Sequence, residues 1–404
     1  MPRGKQSKKN VSGAGTIRKK TVQRGGKAYT YWEARYTVGF DPGTGKQKQK
    51  SVTGKTQKEV AQKLREITVE LDRGTYQEPC KMTLGQWLDI WQKDYLNAVK
   101  PRTVETYHCE IENHIRPELG AIRLEALNTH TIQGFYNSLT TSVPKRGQKV
   151  GLSPKTVKNV HGVLHKALQQ AVAIGYLRFN PADACSLPRV ERQELKPLDE
   201  DAIGHFIVAI RGHPYETVFL VTLFTGLRQG EVLGLMWNCV DFAAGTVLIN
   251  KQLQKLRTGT REYYLASTKS GRSRTLTPAP SVMRLLRHQQ SVQAEWRLKA
   301  GSAWQDSGLV FTNEFGGHLM PHTVYQNYKK VVASIGRPDA RFHDLRHSYA
   351  VAAIRGGDDI KTVQGNMGHA TAAFTLDVYG HVTDQMKQAS AARMEKFIQS
   401  VSGQ

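Results

Sequence analysis

The sequence predicts a multidomain α+β protein in three parts: a small three-stranded sheet with one helix, an all-α segment, and a mainly α segment carrying a small antiparallel sheet. Three observations predict it. Runs rich in Tyr, Trp, Thr and Val, broken by Gly25-Gly26 and Asp41-Pro42-Gly43, fill the chain before residue 55, and such runs between turn residues read as strands. Between 83 and 174 apolar residues recur at helical spacing behind caps and breakers. Beyond Leu198, apolar helices alternate with three short runs of strand-forming residues.

At 404 residues the chain has room for two or three domains, each with its own core. A net charge of +23 makes a polyanion the expected partner, and nucleic acid fits best. A membrane is the competing anion, but no apolar run approaches the roughly twenty residues that a spanning helix needs. The amino terminus MPRGKQSKKN has no apolar signal core, so nothing directs export. Cys80, Cys109, Cys185 and Cys239 lie far apart without a CxxC pair. That points to reduced structural thiols in a cytosol, not to a disulfide framework or a zinc ribbon.

Residues 1–12 are polar and basic and are expected to be disordered when free. Strands are expected at 16–20, 28–40 and 46–52. Thr56 then caps a helix with Glu59 three residues on, Val60, Leu64, Ile67 and Leu71 face inward, and Gly74 ends it. Residues 1–74 hold 18 Lys and Arg against 6 Asp and Glu, so +12 of the charge sits here. A basic sheet can enter a DNA major groove, which makes Lys19, Lys20, Arg35, Lys48 and Lys50 candidate DNA contacts. A solvated basic sheet is the alternative.

Residues 75–82 form a linker around Glu78-Pro79. Helices are expected at 83–96, 102–114, 129–139 and 153–174, which makes a four-helix domain over 83–180. Arg102, Lys155 and Lys158 place cations in first helical turns, where the macrodipole disfavours them without an anion. Phosphate contact and solvated surface charge are both open readings. The basic loop 143–148 holds Pro144 and Gly147 and is expected to be mobile. A proline-bearing connector spans 181–197, and the third domain runs over 198–404.

In that domain 198–201 opens a helix with acids in its first turn. Residues 216–224 read as a buried helix, which Thr225-Gly226-Leu227-Arg228-Gln229-Gly230-Glu231 breaks before another at 232–237. Arg228 thus sits near a helix amino terminus, which makes sense if an anion is held there. The alternative is an Arg228–Glu231 surface pair. Strands are expected at 246–249, 262–265 and 272–276, with Lys269 at a hairpin tip between the last two, then a short strand at Val310-Phe311 and a helix over 322–335. A lysine held among guanidinium groups gives up its proton more readily and can act as a general acid.

Residues 341–381 organise the rest. His343, Arg346 and His347 share one face of an expected helix, a basic face away from the core, with Leu345, Tyr349 and Ala352 on the other side. Gly356-Gly357 stops it, Asp358 or Asp359 caps the next helix with Ile360 and Val363 inward, and Met367-Gly368-His369 and Tyr379-Gly380-His381 follow. Guanidinium, imidazole and phenol are the parts needed to attack a phosphodiester without a metal. His343 and His347 also have the spacing of a zinc site, but Arg346 between them would place a cation beside the ion.

Together, Thr225-Gly226-Leu227-Arg228-x-x-Glu231, Thr268-Lys269, His343-x-x-Arg346-His347, Gly368-His369 and Tyr379 resemble the tyrosine recombinases, or phage integrase family, in order and spacing. The resemblance covers about 198–390 closely and extends loosely to a core-binding (SAM-like) domain at 83–180 and an arm-binding module at 1–74. It is nearest to integrases of conjugative transposons and temperate phages. It implies that Arg228 and Arg346 clamp the scissile phosphate, Lys269 protonates the leaving 5′ oxygen, His343 assists proton transfer, His369 hydrogen-bonds the phosphate and Tyr379 attacks. No cofactor or metal is implied. The implied partners are double-stranded DNA at core and arm sites and three further copies in a homotetramer on two duplexes. An excisionase and a DNA-bending protein are candidate accessories, and the bacterial cytosol is the implied location. A terminal helix bearing Met386, Ala391, Met394 and Phe397 would dock on a neighbour or on its own domain. The competing functions are a type IB topoisomerase-like strand transferase and a non-catalytic DNA-binding factor.

Overall fold

The structure is a computed structural model that describes residues 16–402 apart from 42, 75, 77–80, 142–150, 192–195, 256–261, 270 and 369–383. His369, Tyr379, Cys80, the 1–12 segment and the 143–148 loop lie outside the described residues. The chain divides into two compact units, Met1–Val190 and Glu191–Gln404. Among the described residues no helix is long and apolar enough to cross a membrane.

The first unit opens with three antiparallel strands in the order of the chain, Ile17–Arg24, Lys27–Phe40 and Gln47–Gly54. Helix Gln57–Asp72 follows, with Thr56 accepting the Glu59 N–H and Glu59 reaching back to the Lys55 N–H at 2.9 Å. Its buried Val60 meets the sheet face of Ala34 and Tyr36. The second part is helical: Leu84–Asp94, Pro101–Glu110, Thr129–Thr141 and Pro154–Ala173. Thr83 and Gln86 form a reciprocal capping box at the first of these, and Ser153 caps the last. The second helix runs on past His114, through a π turn at Ile111–Ile115, to Leu119, because Gly120 is the first residue to stop it. Trp87, Trp91, Ile111, Leu164 and Leu168 close the core of this part. The start of the connector belongs to it too. Ala182 is buried, and Asn180 donates to the His165 carbonyl at 3.1 Å.

The second unit is mainly helical around two small sheets. Helix Glu200–Ala209 is capped by Asp199, and helix Glu216–Thr225 is buried on nearly every side. Strands Val240–Asp241, Thr246–Ile249 and Arg274–Leu276 form one antiparallel sheet, while Lys251–Lys255 and Tyr263–Ser267 form the other. Lys269 is therefore not at a hairpin tip. The strands on either side of it pair in different sheets, so its turn carries the chain from one sheet to the other.

Two further expectations are corrected, and one helix is added. The helix expected at 232–237 is Gln229–Leu233, because Gly234 must stay bare where a Cβ would come within 2.6 Å of the Leu253 backbone nitrogen. Val310-Phe311 forms no strand. Only the flanking Leu309 and Thr312 make single bridges, while both residues are buried. The long helix Pro280–Ala300 escapes the reading because Gln289 and Gln293 take core positions where an apolar stripe would continue. Gln293 is satisfied there, accepting from the Trp237 indole at 2.6 Å and donating to Thr312 Oγ1 at 2.9 Å.

Candidate active site

Helix Glu216–Thr225 ends at Gly226, whose backbone is left-handed with φ 65°. A Cβ there would stand 2.4 Å from Tyr349 Cδ1, so only glycine satisfies both the turn and the ring. The chain then reverses into helix Gln229–Leu233 with Arg228 as its cap residue. Glu231 is fully buried. It accepts the Arg228 N–H at 3.0 Å and Arg228 Nη1 at 2.8 Å, and it also accepts Arg274 Nη2 at 2.7 Å and Nη1 at 3.1 Å. Burial alone would raise its pKa, but Arg274 and then Arg228 outweigh burial and hold the carboxyl at about 2. The surface-pair reading of Arg228 and Glu231 fails on that burial.

Helix Phe342–Arg355 begins with the same device. Asp344, also buried, accepts the Arg341 N–H at 2.7 Å and Arg341 Nη2 at 2.9 Å. Each helix start thus has a carboxylate at its third position serving the cap residue's backbone and side chain together. The expected basic outer face does not form. Arg346 is 1% exposed and His347 8%, while Ala352 faces solvent and Leu345, Ala350 and Ile354 take the buried apolar positions. Carbonyls make this burial tolerable: Arg346 Nη1 donates to Gly226 and Nη2 to Met367, each at 2.6 Å.

Three guanidinium groups converge on one helix end. Helix Ile360–Met367 is capped by Asp359, which accepts the Lys361 and Thr362 N–H groups at 2.9 Å each, and it ends at the left-handed Gly368. Arg274 Nε takes the Asn366 carbonyl at 2.7 Å, Arg346 that of Met367, and Arg228 Nη2 that of Gly368 at 3.3 Å. These last carbonyls have no partner within the helix and form its negative end, so they suit cations. Arg228 thus caps the amino terminus of Gln229–Leu233, as expected, while its guanidinium also faces the carboxyl terminus of Ile360–Met367.

The His343 and His347 rings meet edge to face with centroids 4.8 Å apart. His343 opens partly to solvent, yet enclosure of the rest of its ring, then His347, Arg346 and Arg228, push its pKa down to about 4. Burial lowers His347 to about 4 as well, with Asp344 opposing and Arg341 and Arg346 adding to the fall. Both imidazoles are neutral near pH 7, and a neutral imidazole can accept a proton. Lys269 is exposed on a turn that Thr268 ties down through its hydroxyl to the Arg272 carbonyl at 2.7 Å. Arg228, Arg346 and His343 are thus gathered, Lys269 lies on the turn leading into Arg274, and His369 and Tyr379 fall outside the described residues. Among the described residues no group of three or more His, Cys, Asp or Glu is placed to hold a metal.

The burial of Glu231 and the roles of Arg274 and Asp344 were missed. Signals existed: the Arg-x-x-acid spacing recurs at Arg228 and Arg341, both at helix starts, and strand alternation puts Arg274 on the face of the buried Leu276. In the other unit, facing strand partners share a side of the sheet, and this places Lys20 and Arg35 opposite the helix-bearing face while Lys19 and Lys50 lie on that face. Lys48 is exposed beyond the bulge at Thr37/Gly39. Lys20 is shared with Glu33 at 3.5 Å. Arg102 bonds Glu105 at 3.2 Å, and Lys155 and Lys158 stand exposed in the first turn of their helix.

Comparison with known proteins agrees with this architecture. Residues 197–386 match the phage integrase family, and residues 83–140 match the phage integrase N-terminal SAM-like domain. A tyrosine recombinase XerC-like protein of Caldanaerobacter subterraneus is 29% identical over 377 residues, covering 88% of this chain and 94% of that protein. The Tn1549 transposon integrase in complex with transposon right end DNA superposes with a TM-score of 0.65 at 20% identity, over 78% of this chain and 100% of that one. A lambda integrase tetramer bound to a Holliday junction gives 0.55 at 19% identity, over 88% and 94%. Two separate segments match one family, and the fold and a relative aligned over nearly its whole length agree with them: the chain belongs to the phage integrase family of tyrosine recombinases.

Proposed function

We propose that this protein is a site-specific DNA recombinase that integrates and excises a mobile element through a 3′-phosphotyrosine intermediate. The observation that carries the reading is the pair Arg228 and Arg346, held on the consecutive carbonyls of Gly368 and Met367 with His343 beside them. Such a pair can bridge the non-bridging oxygens of one phosphodiester and neutralise the charge that grows in the transition state. Tyr379 attacks phosphorus, the bond to the 5′ oxygen breaks, and Lys269 gives that oxygen a proton. His343, neutral in the free site, receives the phenolic proton, and His369 hydrogen-bonds the phosphate. A 5′ hydroxyl from a partner strand then reverses the step, so bond energy is retained.

In this reading residues 1–74 bind arm sites, 83–180 grip the core site, 198–404 carry the chemistry, and 75–82 and 181–197 are linkers. The Tn1549 and lambda relatives are described with DNA, and the lambda protein as a tetramer, which supports double-stranded DNA as substrate and a homotetramer on two duplexes. The terminal helix Asp384–Ser402 supports assembly too. Met394, Phe397, Ile398 and Val401 are exposed at helical spacing, a face suited to a neighbouring copy. An excisionase and a DNA-bending protein would set direction, and the work would take place in the bacterial cytosol.

A nicked duplex carrying the element's end tests this. Full-length protein should form a covalent adduct that Tyr379→Phe abolishes and EDTA leaves intact. Joining to a second duplex distinguishes recombination from topoisomerase-like relaxation, and an adduct that survives Tyr379→Phe overturns the reading.

A further inference from the structure

We propose that Arg274 is a positioning residue of the strand-transfer site, acting through Glu231 to keep Arg228 charged toward the phosphate and through Asn366 to fix the turn that precedes His369. This deepens the recombinase reading and rests on it. The Arg274 side chain is 12% exposed. It forks onto both oxygens of the buried Glu231, at 2.7 and 3.1 Å, while its Nε holds the Asn366 carbonyl at 2.7 Å. It also packs on the turn itself, since a Cβ on Gly368 would lie 3.0 Å from Arg274 Nη1.

Charge balance gives the arrangement its consequence. Two guanidinium groups share one carboxylate, so the trio carries a net positive charge. Without Arg274, Glu231 and Arg228 would close into a neutral buried pair, and a phosphate diester would meet little more than Arg346. The carboxylate would also gain a free oxygen to draw Arg228 Nη2 away from the Gly368 carbonyl, which it now meets at 3.3 Å.

Connectivity adds a second consequence. Lys269 lies five residues before Arg274 on the same chain, and His369 follows Asn366 by three. One side chain is therefore bonded to the helix after Arg228 and to the turn before His369, while its own strand leads back to the Lys269 turn. A defect here should misplace reacting groups from several segments without touching the DNA-gripping surfaces.

The test uses full-length protein on the nicked duplex, with duplex affinity and the first-order rate of adduct formation measured separately. Arg274→Gln should slow adduct formation by about 100-fold, the size of losing one oxyanion donor, with affinity within about threefold of the unsubstituted protein. Adding Glu231→Gln should then recover about tenfold, because no carboxylate remains to neutralise Arg228. A role confined to stability predicts the reverse, a double variant no faster than the single. Arg274→Lys covers a Gln variant that does not fold. It keeps the charge but not the fork onto Glu231 or the Nε bond to Asn366, so it should cleave about tenfold slower than the unsubstituted protein, and a loss of 100-fold or more in that variant would overturn the charge argument. An undiminished rate in Arg274→Gln, or a double variant no faster than it, overturns the assignment alone, whereas no adduct with the unsubstituted protein overturns the recombinase reading and this assignment with it.

Discussion

Gly226 bears two demands, a left-handed backbone at φ 65° and the Tyr349 ring where a Cβ would sit. Alanine there costs about 1–2 kcal/mol for the backbone, and displacing the ring adds a similar amount. With about 3 kcal/mol lost, the catalytic unit should melt roughly 6–12 °C lower, and a Gly226→Ala melting curve within about 2 °C of the parent would show that the turn can be remade. His347 supplies a pH prediction. Its folded pKa of about 4 lies below the ordinary histidine value near 6.5, so between those pH values the unfolded chain binds the extra proton. The stability it confers is present above about pH 6.5 and is lost as pH falls toward 4. For this buried ring the loss from pH 7 to pH 5 is about 2 kcal/mol, and His347→Gln should shrink the pH 7-to-5 change in urea unfolding by that amount. Equal changes in both proteins would mean that the ring is already protonated in the fold. His343 should add to the slope in the same direction, reduced by its contact with solvent.

Helix Ile360–Met367 packs Val363 and Met367 against Ala350 and Ile354, and its last carbonyls hold three guanidinium groups. Fraying its start should therefore disturb chemistry before binding. Asp359→Ala removes a carboxylate that accepts two backbone N–H groups, a loss of about 1 kcal/mol. Passed to the arginine-bearing end, that corresponds to about a fivefold slower adduct rate at unchanged duplex affinity, and equal losses in both would count against the helix as a rigid support. At this scale the sequence was legible wherever local chemistry decides. The Thr56–Glu59 and Thr83–Gln86 caps, the Gly25-Gly26 turn and the stop at Gly356 all stand where short-range rules put them. It was not legible where the deciding partner is distant. The wheel of helix Phe342–Arg355 puts Arg346 on a polar face, but its acceptors lie 120 and 21 residues away at Gly226 and Met367, and they turn that face inward. Gln293 hides helix Pro280–Ala300 for the same reason, since its partners Trp237 and Thr312 come from other segments. The motif residues could be named in advance, whereas the full burial of Glu231 and the partners of Arg274 needed the fold.

Across the whole molecule the charge is distributed in a way that separates binding from chemistry. Residues 1–74 carry +12 of the +23, which leaves +11 for the remaining 330 residues, including Arg228 and Arg346 of the proposed site. Each phosphate neutralised on duplex DNA contributes a slope of about −0.9 in log K against log salt. The five candidate cations of the sheet could contribute about −4.5 if all reached phosphate, yet one face of a sheet meets a groove at a time. Lys19 and Lys50 share the helix-bearing face, Lys20 and Arg35 the open one, and Lys20 is partly engaged by Glu33. Removing residues 1–74 should therefore flatten the salt slope by about 2 to 3, and Arg35→Gln alone by about 1. Adduct formation on a duplex that carries only the core site should change by less than about threefold, because the groups proposed to act all lie in the other unit. A slope unchanged by the deletion would mean that the basic sheet is solvated surface and that the chain grips DNA with its helical and catalytic parts alone.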